Sequence, residues 1–600
     1  MGGTEMNKKI MGMVSLFSIF ALAACGSGGS DNSSSNDSGS SDKAATTSFE
    51  MATKNDKKAI DGGTLEVAVV SDTDFTGIFS PAFSQITLDD YFSEPAQETL
   101  ITVDDDLKIK EDNPASTVKM DTENKTVTMT IKDGVKWSDG KDVTADDRIF
   151  PYEVIGDKDY TGVRYSDAIQ QIEGMVEYHD GKADTISGIE KVNDKEIKIK
   201  FKKFVPSILQ GGNDPILGYA MPKHAFEGIA VKDMEGSDPV RKTPVTMGPY
   251  KFNKIVAGQS VEFVPNEHYY GEKPKLDKVV MTKVGTAAAA EAMKSNKYDM
   301  FIEMPTNTYD SWKDNKGYQM LGQLDNAYDY IGFKMGKWDA DQGKVVMDKN
   351  AKMADKSLRQ AMGYALDNKI IGDRFFAGLR TPANSLIVPP FGDLYDKDLK
   401  GYTQDVDKAN KLLDDAGFKD TDGDGLREDK DGKKLTINFA FRDNSGVAKS
   451  IADYYIQSWK KVGLDVQLTG GRLMEVNSFY DKLGADDPEI DVYQAGWSTG
   501  FDPNPSGLYG TVAQFNFTRF ESEENTKLLD EMSSEDALDK TKQVEMYKEW
   551  QEYAFDQAFA IPTMYKYVLR PVSDRVVDYS IQRQYDAYPW ATIGVNADER

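Results

Sequence analysis

The 600-residue chain has one cysteine, three histidines, and 72 basic side chains against 99 acidic ones. A single cysteine forms no internal disulfide, so the fold must rest on its apolar core. Histidines as scattered as His179, His224 and His268 give no histidine-rich metal centre. A formal charge of −27 repels nucleic-acid phosphates and anionic lipid alike. After residue 24 no apolar run reaches the ~20 residues that a membrane span requires. No H-E-x-x-H and no P-loop occur, and nothing selects a pair among the many carboxylates, so no catalytic residue is assigned and the chain does not read as an enzyme.

The start of the chain is more informative. Lys8 and Lys9 precede an apolar run from Ile10 to Leu22, which ends in Leu22-Ala23-Ala24-Cys25. A basic start, a short apolar core and small residues at the cut describe a secretory signal. A cysteine directly after the cut is the added feature of a bacterial lipoprotein site. Residues 1–24 are therefore expected to be removed, and Cys25 to carry a lipid anchor at the extracellular face of the cell membrane. Gly2-Gly3 before Met6 suggests that translation starts at Met6. Residues 25–61 read as the lipidated cysteine and a linker. Its Ser/Gly/Asn-rich part, 26–48, buries too little apolar surface to order itself and would span roughly 25 Å.

Further on, strand patterns (64–70, 126–131, 436–441, 464–468, 490–494) alternate with helical ones (358–367, 407–416, 447–462), which predicts an α/β protein. Thr144 and Asp147 have the spacing of a capping box, so a helix is expected to start at Ala145, with Pro151 kinking it.

Several blocks follow one another in a familiar order. They are Lys132-Asp-Gly-Val-Lys-Trp-Ser-Asp-Gly140, Met247-Gly-Pro-Tyr-Lys251, Asn266-Glu-His-Tyr-Tyr270, Lys297-Tyr-Asp299, Leu358-Arg-Gln-Ala-Met-Gly-Tyr364, Pro382-Ala-Asn-Ser385, Ala409-Asn-Lys-Leu-Leu413 and Ala560-Ile-Pro-Thr-Met-Tyr565. Together they resemble the peptide/nickel family of ABC-transporter solute-binding proteins, especially the oligopeptide-binding lipoproteins of Gram-positive bacteria. The resemblance implies a two-lobed periplasmic-binding-protein-like fold with a hinged cleft and an extra subdomain. Lobe 1 would comprise 62–95, 240–325 and 565–600, the subdomain 96–239, and lobe 2 326–564. It implies a monomer that captures oligopeptides and delivers them to membrane ABC permease subunits. An oligosaccharide or chelated metal, or peptide sensing without transport, stays open.

In the family, a strand end borders the cleft and an extended peptide adds to it as a further strand. The matching segment runs from Gln494 through Gly496, Trp497 and Ser498 to Asp502. By resemblance, the backbone of Gly496 and Ser498 would pair with peptide and Trp497 would wall a pocket; the alternative is a core tryptophan. Relatives carry an aspartate three residues after this tryptophan, where this chain has Gly500. Asp502 either takes over as partner of the peptide amine or is an ordinary turn residue. Ser84, Gln85, Ile86 and Thr87 are expected to form the opposing side, with Phe150 and Tyr565 as cleft aromatics. Separately, Asp420, Asp422, Asp424, Leu426, Glu428 and Asp431 fall at calcium-loop spacing, with aspartate where position 12 usually holds glutamate. The reading is a structural Ca²⁺ site away from the cleft, against a turn-rich hairpin; no cofactor is required.

Overall fold

A computed structural model describes residues 49–598 apart from 56, 105–106, 167, 211–214 and 583–588, so Cys25 and the leader lie outside the described residues. The alternating run Thr64–Val70 forms β1, buried at every other position and then continuously, as a strand covered on both faces should be. With Tyr250–Val256 (β2), Ser260–Pro265 (β3), Lys278–Val284 (β4) and Met300–Ile302 (β5) it builds one side of a single 11-stranded sheet. Tyr318–Phe333 (β6), Arg380–Pro382 (β7), Thr436–Phe441 (β8), Asp465–Leu468 (β9), Val492–Ser498 (β10) and Ala560–Ser573 (β11) complete it. The strand order is β9-β8-β10-β6-β11-β5-β1-β4-β3-β2, with β7 beside β11. β8 and β9 are parallel, as are β8 and β10, and helix Ala448–Lys460 crosses between β8 and β9. Among the described residues no helix is long and apolar enough to cross a membrane.

A separate four-stranded sheet (Ser116–Asp121, Thr126–Ile131, Glu196–Lys200, Ile189–Lys191) lies within the stretch expected as the extra subdomain, called the small domain below. Its helix Ala145–Gly156 begins with the expected capping box, Thr144 and Asp147 each holding the other's backbone N–H. Pro151 does not end that helix. The carbonyl it leaves without a helical donor is that of Asp147, four residues back, and the Met221 N–H donates to it at 3.0 Å. The Asn266–Tyr270 block serves packing: the hydroxyls of Tyr269 and Tyr270 donate to buried Glu98 at 2.8 and 3.2 Å. Burial pushes the Glu98 carboxyl up to about 7 against those bonds.

Three elements of this architecture position the site. The first is a clamp at the C-terminus. Asp299 is fully buried and accepts from the Glu66 N–H (2.9 Å) and Arg575 Nε (3.0 Å). Arg575 also donates to the Asp598 carbonyl at 2.9 Å, fastening the chain's end to β1 and β5. The second is the antiparallel pair β6–β11, which runs through both halves of the sheet. Its ladder runs from Tyr318–Ser573 to Leu324–Tyr567, breaks, and resumes at Tyr328–Tyr565. Asp325, Asn326 and Ala327 thus face Lys566 alone, a bulge that unpairs the backbone and lets the ribbon bend. Before the break Leu321 and Val572 lie in one core with β1 and β4; after it Tyr328, Tyr330 and Ile331 lie in another with β8 and β10. The third is a contact on the small domain. Val103 and Leu107 are buried in the lobe 2 core, and Lys125 pairs with Glu535 at 2.6 Å.

Candidate ligand-binding site

β10 begins as a buried strand, Val492–Ala495, and becomes accessible at Gly496, Trp497 and Ser498. Along one edge it pairs with β6 through Phe333–Val492 to Ala327–Ser498. Along the other, β8 accompanies it only as far as Phe441–Gln494. From Gly496 to Ser498 no strand among the described residues covers that second edge, so backbone donors and acceptors are open to a ligand. Gly496 leaves room for Asp329 here: a Cβ would lie 2.9 Å from Asp329 Oδ1, forcing that carboxylate to shift, and 3.3 Å from the Tyr328 carbonyl. Trp497 stacks on Phe517 (5.7 Å, 15°) and meets Phe515 edge-on (5.6 Å, 66°). Phe515 and neighbouring Val512 are 56% and 65% exposed. The tryptophan is therefore neither a core residue nor isolated, but the inner wall of an aromatic patch beside the open edge.

Past the strand, Thr499 N–H and Oγ1 donate to the Asn326 carbonyl (2.8 and 3.0 Å), and Asn326 Nδ2 donates to the Gly500 carbonyl (2.6 Å). Asp502 follows. Its carboxylate accepts from the Asn504 N–H at 2.9 Å, and desolvation pushes that carboxyl up to about 6.

A polar cluster beside Gly496 carries no local sequence signature, because its members come from four strands or strand ends. Asp329 of β6 pairs with Arg380 of β7 and lies 3.8 Å from Arg442 Nη2 at the end of β8. Arg442 also donates to Tyr480 Oη (2.9 Å) and Gln494 Oε1 (3.3 Å). Arg380, Asn444, Ser445, Gln494 and Thr563 line a cavity of about 60 Å³ there. The only hint in the sequence is a charged residue within each apolar run, Asp329 and Arg442.

One match to a catalytic motif does exist: Gly496-Trp-Ser498-Thr-Gly500 has G-x-S-x-G spacing. Geometry removes it from consideration. Ser498 lies in strand pairing rather than on a strand-to-helix elbow, and all three histidines are engaged in other regions. His179 Nδ1 is 3.2 Å from the Gly156 carbonyl, His224 Nε2 is 2.7 Å from Asp139, and His268 packs against Gly140.

Several expectations need correction. Ser84–Thr87 is not a strand. Ile86 is the N-cap of the short helix Thr87–Tyr91, Ser84 donates to Asp90 (2.6 Å), and Arg164 occupies the Ser84 carbonyl (3.0 Å). Only Gln85 and Thr87 are exposed, so this stretch offers no backbone edge. Phe150 is a core residue of the small domain, 5.8 Å from Phe226 and 8% exposed. Tyr565 is 4% exposed, and its hydroxyl donates to the Ser385 carbonyl (2.8 Å) and accepts from the Ser385 N–H (3.0 Å), a brace inside lobe 2.

The calcium-loop residues are partly brought together. One carboxylate oxygen each from Asp420, Asp422 and Asp424 lies within 4.8 Å of the others, on an exposed turn between helix Val406–Ala416 and β8. Glu428 is turned away, accepting from Thr421 N–H and Oγ1, both at 2.7 Å. Asp431 points to Lys433 at 3.5 Å. The donor set for a calcium ion is thus three carboxylates, with positions 9 and 12 engaged elsewhere.

A large sheet joined through a bulged ribbon, with an open strand edge beside the bulge, is the arrangement of a two-lobed solute-binding protein. Residues 111–519 match the family described as bacterial extracellular solute-binding proteins, family 5, and the chain belongs to that family, whose members bind solutes outside the cell. Among its relatives, the oligopeptide-binding protein OppA of Lactococcus lactis subsp. lactis is 37% identical over 93% of this chain and 94% of its own. AppA of Bacillus subtilis, also an oligopeptide-binding protein, is 28% identical over 72% and 73%. The structure of lactococcal OppA with an endogenous peptide, in the closed conformation, superposes with a TM-score of 0.81 at 37% identity. It covers 89% of this chain and all of that one. The two-lobed fold expected from the sequence is the fold of these neighbours.

Proposed function

We propose that this protein captures oligopeptides outside the cell and delivers them to the membrane subunits of an ABC permease. The observation that carries the reading is the open edge of β10 at Gly496–Ser498, beside the bend between the lobes. A peptide laid along it would gain main-chain hydrogen bonds independent of its sequence, with alternate side chains directed into neighbouring space. The relatives named for oligopeptides support the same ligand class. Lipid attachment at Cys25 belongs to the reading and would hold the body near its permease. Native mass spectrometry of gently purified protein tests it. Masses of bound peptides of mixed sequence are expected; a sugar or a chelated metal in their place would replace the oligopeptide reading.

Asp502 would meet the peptide's α-ammonium. A carboxylate that burial raises to about 6, with the Asn504 N–H as donor, gains most from an incoming cation. Its native pKa lies above its unfolded value. Below the unfolded value the group favours the ligand-free fold fully, and that contribution is lost as pH rises through about 6. Affinity should show the opposite slope, strengthening from pH 5 to 7 as the carboxylate ionises. In Asp502→Asn that slope is expected to vanish, and the ligand-free protein to gain on the order of 1–2 kcal/mol at pH 7.5. An unaltered pH profile in isothermal titration would remove Asp502 from amine recognition.

A calcium ion at Asp420, Asp422 and Asp424 would be structural. With Glu428 committed to Thr421, calorimetric titration of chelator-stripped protein should give a Kd no tighter than about 10⁻⁴ M, with a small rise in melting temperature. A flat titration would reject the site, and tight binding would mean that Glu428 turns inward.

A further inference from the structure

Three facts meet at one buried amide. The β6–β11 ladder is interrupted at Asp325, Asn326 and Ala327, where the sheet passes from one lobe's core to the other's. The β6–β10 ladder ends at Ala327–Ser498, on the rim of the same bulge. Beyond that pair, Asn326 is held to the segment after Trp497 by three hydrogen bonds: Thr499 N–H and Oγ1 to its carbonyl, and its own Nδ2 to the Gly500 carbonyl. Asn326 is 6% exposed, and Gly500 takes the left-handed conformation (φ 61°) that presents its carbonyl there.

A bulge is the part of a ribbon that can bend with least loss of ladder bonds. Here the bending part is tied to the segment that carries the open edge. The geometry points to Asn326 as a positioning residue that couples occupancy of the Gly496–Ser498 edge to the angle between the lobes. This inference rests on the peptide-binding reading. A strand added beside β10 orders residues 496–500. Through the Gly500 carbonyl and Thr499 that order fixes the bulge in one shape, and the lobes close around the peptide. On its β11 side the bulge is held by the Lys566–Asp325 pair at 3.0 Å. A ligand shifts the lobe equilibrium only by its differential interaction with the two states, and these bonds supply a route for that difference. Asn326 touches no peptide itself; it acts through Thr499 and Gly500.

Asn326→Asp keeps the shape and removes the Nδ2–H donor, while Asn326→Gln keeps an amide donor on a longer arm. The probe is a synthetic library of nonapeptides. Peptide release is followed by stopped-flow fluorescence, lobe closure by the fall in radius of gyration in small-angle scattering, and fold by the thermal midpoint. For Asn326→Asp we expect release about tenfold faster and a lost or halved contraction on peptide addition, measured at a temperature well below the variant's thermal midpoint so that both are read on folded protein. Asn326→Gln should recover part of the contraction. An Asn326→Asp protein that contracts and releases peptide like wild type overturns the coupling. So does a parallel loss of affinity and thermal midpoint in both variants, which would make Asn326 a packing residue. A wild-type protein that binds none of the library fails the peptide reading itself, a separate outcome.

Discussion

Oligopeptide affinity should fall by about 1–3 kcal/mol, roughly 5- to 150-fold in Kd, in Trp497→Ala. The ring stands between the open edge of β10 and two phenylalanines, stacked on Phe517 and edge-on to Phe515. Its removal takes away apolar wall beside the backbone that would pair with peptide, and leaves Phe517 without its stacking partner. The strand itself should survive, because its pairing with β6 runs from Val492 to Ser498 through backbone alone. Calorimetric titration alongside thermal unfolding separates the two consequences. Weakened binding with a small change in melting temperature is the expected pair. Intact binding with a large drop in stability would restrict Trp497 to packing.

A larger change, in stability rather than affinity, is expected for Asp299→Ala. Asp299 is fully buried and Arg575 is 7% exposed, and Arg575 Nε donates to the carboxylate at 3.0 Å. Truncating the acid leaves a guanidinium without its counter-charge in the interior and frees the Glu66 N–H of its acceptor. Breaking one side of such a pair costs about 3–5 kcal/mol, a large share of a domain's net stability. Chemical denaturation should show the midpoint falling at constant slope. Asp299 precedes β5, which β11 and β6 separate from β10 in the sheet, so peptide binding by the fraction that remains folded should be near wild type. A loss below about 1 kcal/mol would mean that water reaches Arg575 and replaces the carboxylate.

Much of the fold was legible because it depends on local pattern. The Thr144–Asp147 spacing produced its capping box, and the strands predicted near 436–441 and 464–468 occupy those positions. Of the site, the segment around Trp497 could be located, since a Gly- and Pro-rich run after a buried strand marks a strand end. Other parts of the site depend on what distant segments bring. Ser84 has the composition of an edge, but Asp90 and Arg164 claim its polar groups. Phe150 and Tyr565 are aromatic in either setting, and only their neighbours decide burial. Pro151 shows the same dependence on distant segments: the carbonyl it orphans takes its donor from Met221, 70 positions later. The Asp329, Arg380 and Arg442 cluster had no spacing to betray it.

The place of β11 in the sheet has a consequence for how the protein is made. β11 lies between β6 and β5, and β5 alone joins it to β1. Lobe 1, begun by residues near the start of the body, therefore cannot complete its sheet until residues 560–573 have left the ribosome. The Arg575–Asp299 clamp forms later still. Pairing of Tyr318–Phe333 with Ala560–Ser573 is among the most non-local in the sheet, and such pairings form only after the intervening chain is closed into a loop. For a protein that works outside the cell, a sheet whose two halves are joined by so late a strand is one whose final closure follows emergence of nearly the whole chain.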